Sequence, residues 1–346
     1  KMELYNKLSK EEQINLIEKA GEKRFTLSFY KYHLIHNPLI FRNFLFVELD
    51  KLDALGRIYV ASEGINAQIS LPSKNITKLK NAIDEISFLK NISLNIAIKH
   101  DNKSFLKLKI KIKDKIVADG LSFNDYDLEN NGKHLDALQF NKLLDDKKTI
   151  TIDMRNHYES EIGHFKGAEL PDVDTFRESL PIIKNKYKAH KNDKNILMYC
   201  TGGIRCEKAS AYLVKNGYKN VYQLSGGIIE YTRQVKKHNI ENKFIGKNFV
   251  FDARLGEEIS NQIISTCHQC GKKCDIHVNC NNEACHLLFL QCDGCKKKYS
   301  GCCCYSCKDV YELPIEKQKK LRKGKRNSNK IFKKGRFNHE LFEKNV

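Results

Sequence analysis

At Asn195-Ile196-Leu197-Met198-Tyr199-Cys200-Thr201-Gly202-Gly203-Ile204-Arg205, an apolar strand pattern runs directly into a glycine-rich loop. A helical pattern over residues 207–215 follows the loop. Strand, loop and helix in this order are typical of an α/β sheet, in which sites lie at the carboxyl ends of the strands. The sequence therefore predicts that Cys200 lies at the edge of a buried sheet.

The loop itself has the composition of a pocket for negatively charged sulfur. Its glycines permit tight curvature, so that successive backbone N–H groups and the start of the helix point at one place. Arg205 adds a fixed cation, and we therefore expect Cys200 to be a thiolate nucleophile. The alternative is a buried structural cysteine. The backbone of this predicted active loop comes from Thr201, Gly202, Gly203 and Ile204.

The number of residues in the loop narrows its chemistry. Four residues separate Cys200 from Arg205, whereas phosphatases of the cysteine type place five between theirs. A six-residue loop suits a sulfur atom carried on cysteine better than it suits a tetrahedral phosphate. We therefore expect sulfur chemistry here and not phosphate hydrolysis.

The surrounding residues 134–248 repeat the pattern of strand, loop and helix. A helix is predicted from about Ala137 to Leu144, a strand over residues 149–152 that ends at Asp153, and a third strand over residues 220–224. This order predicts a parallel sheet with helices on both faces. Asp153 and Cys200 both fall at carboxyl ends of strands, so we expect them to share one edge.

Residues 1–121 interleave helical and strand patterns and predict a separate α+β domain. Between two of its strands, Ala61-Ser62-Glu63-Gly64-Ile65-Asn66-Ala67 forms a turn in which Gly64 serves a positive φ; a binding role for Glu63 and Asn66 is the alternative. A polar linker, residues 122–133, follows. The predicted helices cover residues 10–20 and 76–86, and the predicted strands cover residues 25–30, 57–61, 92–99 and 105–112.

Eleven of the thirteen cysteines lie between Cys267 and Cys307, within a third region that we place at residues 249–310. Three pairs have the spacing Cys-x2-Cys, which directs two thiolates at one tetrahedral ion. The cluster predicts a structural zinc module; an iron–sulfur cluster or a redox relay are the alternatives. The run Cys302-Cys303-Cys304 leaves the last pair ambiguous by one residue. The candidate ligands are Cys267, Cys270, Cys274, Cys280, Cys285, Cys292, Cys295 and Cys307.

Charge is concentrated at the end of the chain. The formal net charge of the 346 residues is +19, and the last 31 residues hold 12 Lys or Arg against 3 Glu. We interpret residues 311–346 as a basic tail that contacts a polyanion, with a solvated disordered segment as the alternative. No apolar run approaches the roughly 20 residues needed to span a bilayer, and the start of the chain lacks a signal-peptide pattern. We expect a cytoplasmic protein without a membrane partner.

The segment Asp153-Met154-Arg155, with Glu159 and Gly163-His164-Phe165-Lys166-Gly167-Ala168, resembles the opening signature of a rhodanese domain. The loop from Cys200 to Arg205 is similar to the active loop of that family. The resemblance implies that Cys200 carries a persulfide and that Asp153 and Arg155 support the loop. His164 is either an acid/base group or a structural residue.

Cys206 departs from the usual rhodanese pattern, which has Ser or Thr after the arginine. Two interpretations stay open. Cys206 could resolve a persulfide or form a disulfide with Cys200. It could instead be a small helix residue that packs inward.

Most of the chain resembles the bacterial tRNA uridine hydroxylase family. The matching stretches are residues 61–67, 153–159, 200–210 and 249–252, together with the Cys-rich end, although Ala67 stands where the family more usually has Gly. The resemblance implies formation of 5-hydroxyuridine at the wobble position of tRNA with O2 as co-substrate. The expected architecture is a ferredoxin-like or acylphosphatase-like α+β domain, a rhodanese domain with a parallel sheet, and a Cys-rich zinc module with a basic tail.

Two other functions stay open. One is a sulfurtransferase that moves sulfur from a donor to tRNA or to a partner protein. The other is a zinc-stabilised RNA-binding protein whose rhodanese unit is only a scaffold. The chain has no GxGxxG fingerprint and no His-Glu-x-x-His helix, so no nucleotide cofactor or iron site is evident.

Overall fold

The computed structural model describes residues 4, 6 and 8–324. Most of the predicted basic tail, beyond residue 324, lies outside the described residues. Short 3-10 turns occur at Ser73–Asn75, Ser87–Leu89, Phe123–Asp125 and Lys188–His190. Among the described residues, no helix is long and apolar enough to cross a membrane.

The N-terminal part is an α+β unit built on one five-stranded sheet. The sheet has the order β4-β1-β3-β2-β5; all neighbours are antiparallel except β2 and β5, which are parallel. Its elements are α1 (Lys10–Ala20), β1 (Arg24–Tyr32), α2 (Pro38–Asp50), β2 (Leu55–Ala61), β3 (Gly64–Pro72), α3 (Ile76–Asp84), β4 (Asn95–Ile96) and β5 (Leu108–Ile112).

The two faces of this sheet differ because side chains alternate along each strand. Leu27 and Phe29 of β1 lie in an apolar core with Leu45 and Leu49 of α2 and Leu79 of α3. The intervening residues of β1, Thr26, Ser28 and Tyr30, therefore point to the opposite face. That polar face is the one that meets the central unit.

The central unit contains a four-stranded parallel sheet of order β6-β10-β9-β7. Met198 packs with helices α6 and α7 on one face, whereas its neighbour Tyr199 packs with α4 and α8 on the other. The elements are β6 (Lys133–Leu135), α4 (Ala137–Leu144), β7 (Thr149–Asp153), α5 (His157–Ser160), β8 (Gly163–Phe165), α6 (Phe176–Lys186), β9 (Asn195–Tyr199), α7 (Ile204–Lys215), β10 (Val221–Leu224) and α8 (Gly227–His238). The predicted sheet with helices on both faces is confirmed.

The C-terminal part has little apolar core. Strand β11 pairs with β8 of the central unit and with β12, and β13 pairs with β14. Two of its buried clusters consist mainly of cysteines. Its elements are β11 (Phe244–Asn248), β12 (Glu257–Glu258), β13 (His277–Asn279), β14 (Leu288–Leu290), α9 (Asp293–Lys298), α10 (Tyr305–Tyr311) and α11 (Ile315–Arg322).

In the N-terminal unit, one secondary-structure prediction was wrong and one helix was missed. The strand expected over residues 92–99 is only Asn95–Ile96, because just these residues pair with β1 at the sheet edge. Helix α2 was not predicted, since its sequence is apolar on nearly every side and shows no clear helical period. The signal that could have found it is local: Asn37 caps the helix through its side chain, and Pro38 occupies the first helical position.

Candidate active site

Cys200 is buried at the carboxyl end of β9, where the chain turns into α7. Its Sγ accepts a hydrogen bond from the backbone N–H of Gly203 at 3.1 Å. Gly203 has φ +99°, and a Cβ at this position would lie 2.8 Å from the hydroxyl of Tyr30. Glycine is therefore required here both by the backbone conformation and by the close approach of the N-terminal unit.

The surroundings of Cys200 favour a thiolate. Burial on its own raises the pKa of this thiol, but the hydrogen bond from Cys206, the charge of Arg205 and backbone N–H groups outweigh it and lower the pKa to about 6. At neutral pH the sulfur is therefore negatively charged and nucleophilic. This is the electrostatic arrangement that the glycine-rich loop predicted.

Arg205 is held by the carboxylate of Glu159, a residue of the rhodanese-like signature for which the sequence indicated no role. Its guanidinium forms two hydrogen bonds to Glu159, at 2.6 and 2.7 Å, and the Glu159 side chain is fully buried in α5. A bidentate pair of this kind fixes the orientation of the guanidinium. Glu159 thus positions the cation beside Cys200.

Asp153 and Arg155 lie at the end of β7, next to the end of β9. Both are fully buried, and their side chains pair with each other, with Arg155 Nη2 at 2.6 Å from Asp153 Oδ2. The remaining hydrogen bonds of Arg155 go to Gly163 O and Asn248 Oδ1. The pair therefore joins β7 to β8 and β11 behind the loop, and a direct role at Cys200 stays a prediction.

Cys206 lies in the first turn of α7, fully buried beside Cys200. Burial and the hydrogen bond to Cys200 raise the pKa of the Cys206 thiol well above its ordinary value. Cys206 is therefore protonated and donates to the Cys200 thiolate. No disulfide joins the two cysteines.

Side chains from the N-terminal unit cover the active loop, which sequence reasoning missed. The hydroxyl of Tyr32 donates to Ile204 O at 3.0 Å, and the hydroxyl of Tyr30 donates to Glu207 Oε1 at 3.1 Å. Glu207 also accepts from Asn131 at 2.6 Å and contacts His134 at 2.8 Å. No local sequence signal relates Tyr32 of β1 to Ile204, which lies 172 residues further along the chain. Only the packing of the two units brings them together.

A buried ion cluster joins the two units next to this contact. Lys208 Nζ lies 2.7 Å from Glu63 Oε2 and 2.5 Å from Asp119 Oδ2, and the Lys208 side chain is fully buried. Glu63 also accepts a hydrogen bond from the hydroxyl of Tyr126. The turn that contains Glu63 is therefore part of the joint between the units, and its Gly64 is required because a Cβ there would lie 2.0 Å from Lys31 O.

His164 lies on β8, and its Nδ1 is 2.9 Å from the carbonyl oxygen of Ser160. This contact joins β8 to α5. The imidazole therefore has a structural partner at the sheet edge.

The Cys-rich region forms two groups of four sulfur atoms, and within each group all Sγ atoms lie within 4.8 Å of one another. Cys270 and Cys292 are 3.6 Å apart, and Cys303 lies 3.7 Å from Cys307. Four thiolates at about 2.3 Å from one tetrahedral ion would be about 3.8 Å apart. Each group can therefore hold a metal ion. The first group is Cys267, Cys270, Cys292 and Cys295, and the second is Cys280, Cys285, Cys303 and Cys307.

Pairs of ligands from the two groups alternate along the chain. Cys267 and Cys270 of the first group are followed by Cys280 and Cys285 of the second, then by Cys292 and Cys295 of the first and by Cys303 and Cys307 of the second. Cys274, a candidate ligand from the sequence, belongs to neither group and lies buried beside the first. Cys303, which was not among the candidates, replaces Cys304 as the partner of Cys307. The ambiguity of the run 302–304 was the signal for this residue, but the spacing alone favoured Cys304.

The low pKa of Cys200 gives a direct prediction for its titration. The thiolate absorbance of the wild-type protein minus that of Cys200→Ser should rise with pH through a midpoint near 6. In Cys206→Ala the midpoint should move toward the ordinary value of about 9, because the S–H donor to Cys200 is lost. An unchanged midpoint in Cys206→Ala would contradict the role of this hydrogen bond.

Three family profiles match consecutive parts of the chain. Residues 24–116 match the UPF0176 acylphosphatase like domain, residues 136–234 the rhodanese-like domain, and residues 245–308 the rhodanase C-terminal family. Among solved structures, the rhodanese-like domain protein from Staphylococcus aureus is 27% identical, covers 29% of this chain and 90% of its own, and has a TM-score of 0.25.

Curated relatives match over almost the whole length. A tRNA uridine(34) hydroxylase of Leptospira interrogans is 52% identical over 343 residues, which is 99% of this chain and 93% of the relative. A tRNA uridine(34) hydroxylase of Photorhabdus laumondii is 50% identical, with 96% of this chain and 95% of the relative covered. The chain therefore belongs to the tRNA uridine(34) hydroxylase family.

Proposed function

We propose that this protein converts the wobble uridine of tRNA to 5-hydroxyuridine in an oxygen-dependent reaction, with Cys200 as the covalent site. The observation that carries the proposal is a buried Cys200 thiolate, with a pKa of about 6, in a chain that is 52% identical to a tRNA uridine(34) hydroxylase over 99% of its length. tRNA is the partner and O2 the co-substrate. The two groups of four cysteines with metal-ligand geometry suit a reducing, cytoplasmic setting.

The roles of the other residues follow from their contacts. Arg205 stabilises the negative sulfur, and Glu159 holds Arg205 in place. Cys206 donates its S–H to Cys200 and is close enough to react with sulfur carried there. Asp153 and Arg155 support the strand end from behind.

We assign structural zinc to the two groups of four cysteines. Sulfur-only tetrahedral groups are typical of zinc, and a closed set of four ligands leaves no open position for substrate. The weak apolar core of this region supports the assignment, since metal binding then supplies the folding free energy. The candidate ligands are Cys267, Cys270, Cys292 and Cys295 for one ion, and Cys280, Cys285, Cys303 and Cys307 for the other.

One observation favours a second function, transfer of sulfur. The Cys200 loop surrounds a single negatively charged sulfur with a backbone N–H and a guanidinium, which is also what a persulfide carrier requires. Such an enzyme would take sulfur from a donor molecule or protein. The same residues therefore serve both functions, and the product decides between them.

The test is mass spectrometry of tRNA nucleosides from cells that lack the protein, complemented with the wild-type chain or with Cys200→Ala. We expect 5-hydroxyuridine and nucleosides derived from it to return with the wild type and to be absent with Cys200→Ala. Normal hydroxylation combined with lost thiolation would instead favour sulfur transfer. Identical nucleosides in all three strains would contradict both enzyme functions.

A further inference from the structure

The polar face of the N-terminal sheet lies against the Cys200 loop. Among the described residues, one buried side chain on this face has a polar atom without a hydrogen-bond partner. Asn95 of β4 pairs with Ser28 of β1, so its side chain shares the face of Ser28 and Tyr30. Asn95 is buried, with an exposed fraction of 5%. Its amide lies over the active loop.

Two glycines of the central unit flank the Asn95 amide. Asn95 Nδ2 donates to Gly202 O over 3.4 Å, and a Cβ on Gly202 would lie 3.5 Å from the same nitrogen. A Cβ on Gly226 would lie 3.5 Å from Asn95 Oδ1. The hydrogen bond to Gly202 O gives the amide an orientation, with its nitrogen toward the loop and its oxygen toward Gly226.

The oxygen of this amide has no hydrogen-bond partner among the described residues, although it is buried. A buried acceptor without a donor costs free energy, because it has lost its water and gained nothing in exchange. The Asn95 nitrogen also has a second N–H besides the one that Gly202 accepts. The side chain thus offers one acceptor and one donor to a molecule that would pair with both.

Asn95 lines a cleft of about 1170 Å³ between the two units. This volume is large enough for a nucleotide and for the adjoining nucleotides of an RNA strand. Tyr30 and Tyr32 form one wall, and His33 stacks on Phe88 with ring centroids 4.6 Å apart. Aromatic rings of this kind stack on unpaired RNA bases. Gly202 of the active loop also lines this cleft.

We propose that Asn95 determines the base specificity of this protein by pairing with the imide edge of uracil. This inference rests on the proposed function and names the residue that recognises its substrate. Asn95 Oδ1 accepts the N3–H of uracil, and the free N–H of Nδ2 donates to the adjacent carbonyl oxygen O4. Cytosine in the same place presents the N3 lone pair to Oδ1 and its N4 amino group to Nδ2, so that both contacts become repulsive.

The proposal is tested with anticodon stem-loop RNAs that carry U or C at position 34, binding to full-length protein measured by fluorescence anisotropy. The wild type should bind the U34 RNA at least about tenfold more tightly than the C34 RNA. Asn95→Ala should reduce this ratio to about one, mainly through weaker binding of the U34 RNA. The matched control is Asn81→Ala, an exposed asparagine of α3 that does not line this cleft, which should keep the wild-type ratio.

A merely structural role of Asn95 gives a different result. Loss of the hydrogen bond to Gly202 would then weaken the binding of both RNAs equally and shift the midpoint of the Cys200 thiolate titration. That outcome would overturn the proposal. Support requires a collapsed U34 to C34 ratio with the titration midpoint unchanged. A wild type that binds both RNAs equally, but still forms 5-hydroxyuridine in cells, would overturn the role of Asn95 alone. Absence of 5-hydroxyuridine in cells would overturn the proposed function as well.

Discussion

Lys208→Met should lower the free energy of unfolding by about 3–5 kcal/mol, the usual effect of removing one partner from a buried ion cluster. The Lys208 side chain is fully buried and neutralises two carboxylates, those of Glu63 and Asp119. Without the Lys208 cation, the Glu63 carboxylate stays buried and uncompensated, whereas Asp119 keeps Lys115 at 2.7 Å. Because Glu63 belongs to the N-terminal unit and Lys208 to α7, we also expect the two units to separate at a lower urea concentration.

The matched control is Lys215→Met, in the last turn of the same helix, where the lysine is exposed. That change should alter stability by less than about 0.5 kcal/mol. The double variant Lys208→Met/Glu63→Gln should lose less unfolding free energy than the two single variants lose in sum, because the charge of Glu63 is removed together with that of Lys208. Additive losses would show that the cluster does not couple the two units.

Cys303→Ser should release one of the two zinc ions that we propose for the cysteine groups, and should unfold much of the region around β13, β14 and α10. Cys303 Sγ lies 3.7 Å from both Cys285 Sγ and Cys307 Sγ, at the centre of the second group of four. Structural zinc contributes about 10–16 kcal/mol of apparent binding free energy in small metal-dependent folds. The buried clusters here consist mainly of cysteines, so little else would hold the fold together.

Metal content per chain by mass spectrometry, together with resistance to protease, measures this effect. The matched control is Cys304→Ser, whose sulfur lies 4.0 Å from Cys303 Sγ and belongs to neither group. That variant should keep two ions per chain. If Cys304→Ser loses an ion and Cys303→Ser does not, the pair Cys304-x2-Cys307 is the correct one.

Local patterns predicted much of the central unit. The strand Asn195–Tyr199 and the helix Ala137–Leu144 have the predicted bounds, because a buried strand and an amphipathic, capped helix leave clear periods in the sequence. The same reasoning gave a wrong result for the edge strand β4, which was predicted over residues 92–99. Its two paired residues are set by contact with β1 and not by their own alternation.

The candidate site divides in a similar way. By itself, the sequence determined the thiolate loop, since strand, glycines, arginine and helix are neighbours in the chain and their electrostatics are local. It also determined that the Cys-rich region offers ligand sets for metal, but spacing could not choose between Cys303 and Cys304. Only the tertiary structure decided which four sulfurs meet.

The tertiary structure alone also decided what surrounds the loop. Glu159 reaches Arg205 from another helix, and Tyr30 and Asn95 reach the loop from another sheet. Burial is what gives these contacts their strength, because charges and hydrogen bonds act more strongly away from water. Composition and spacing do not show which distant segments are buried against each other. The nucleophile could therefore be predicted from the sequence, but the residues that position Arg205, cover the loop and recognise the substrate could not.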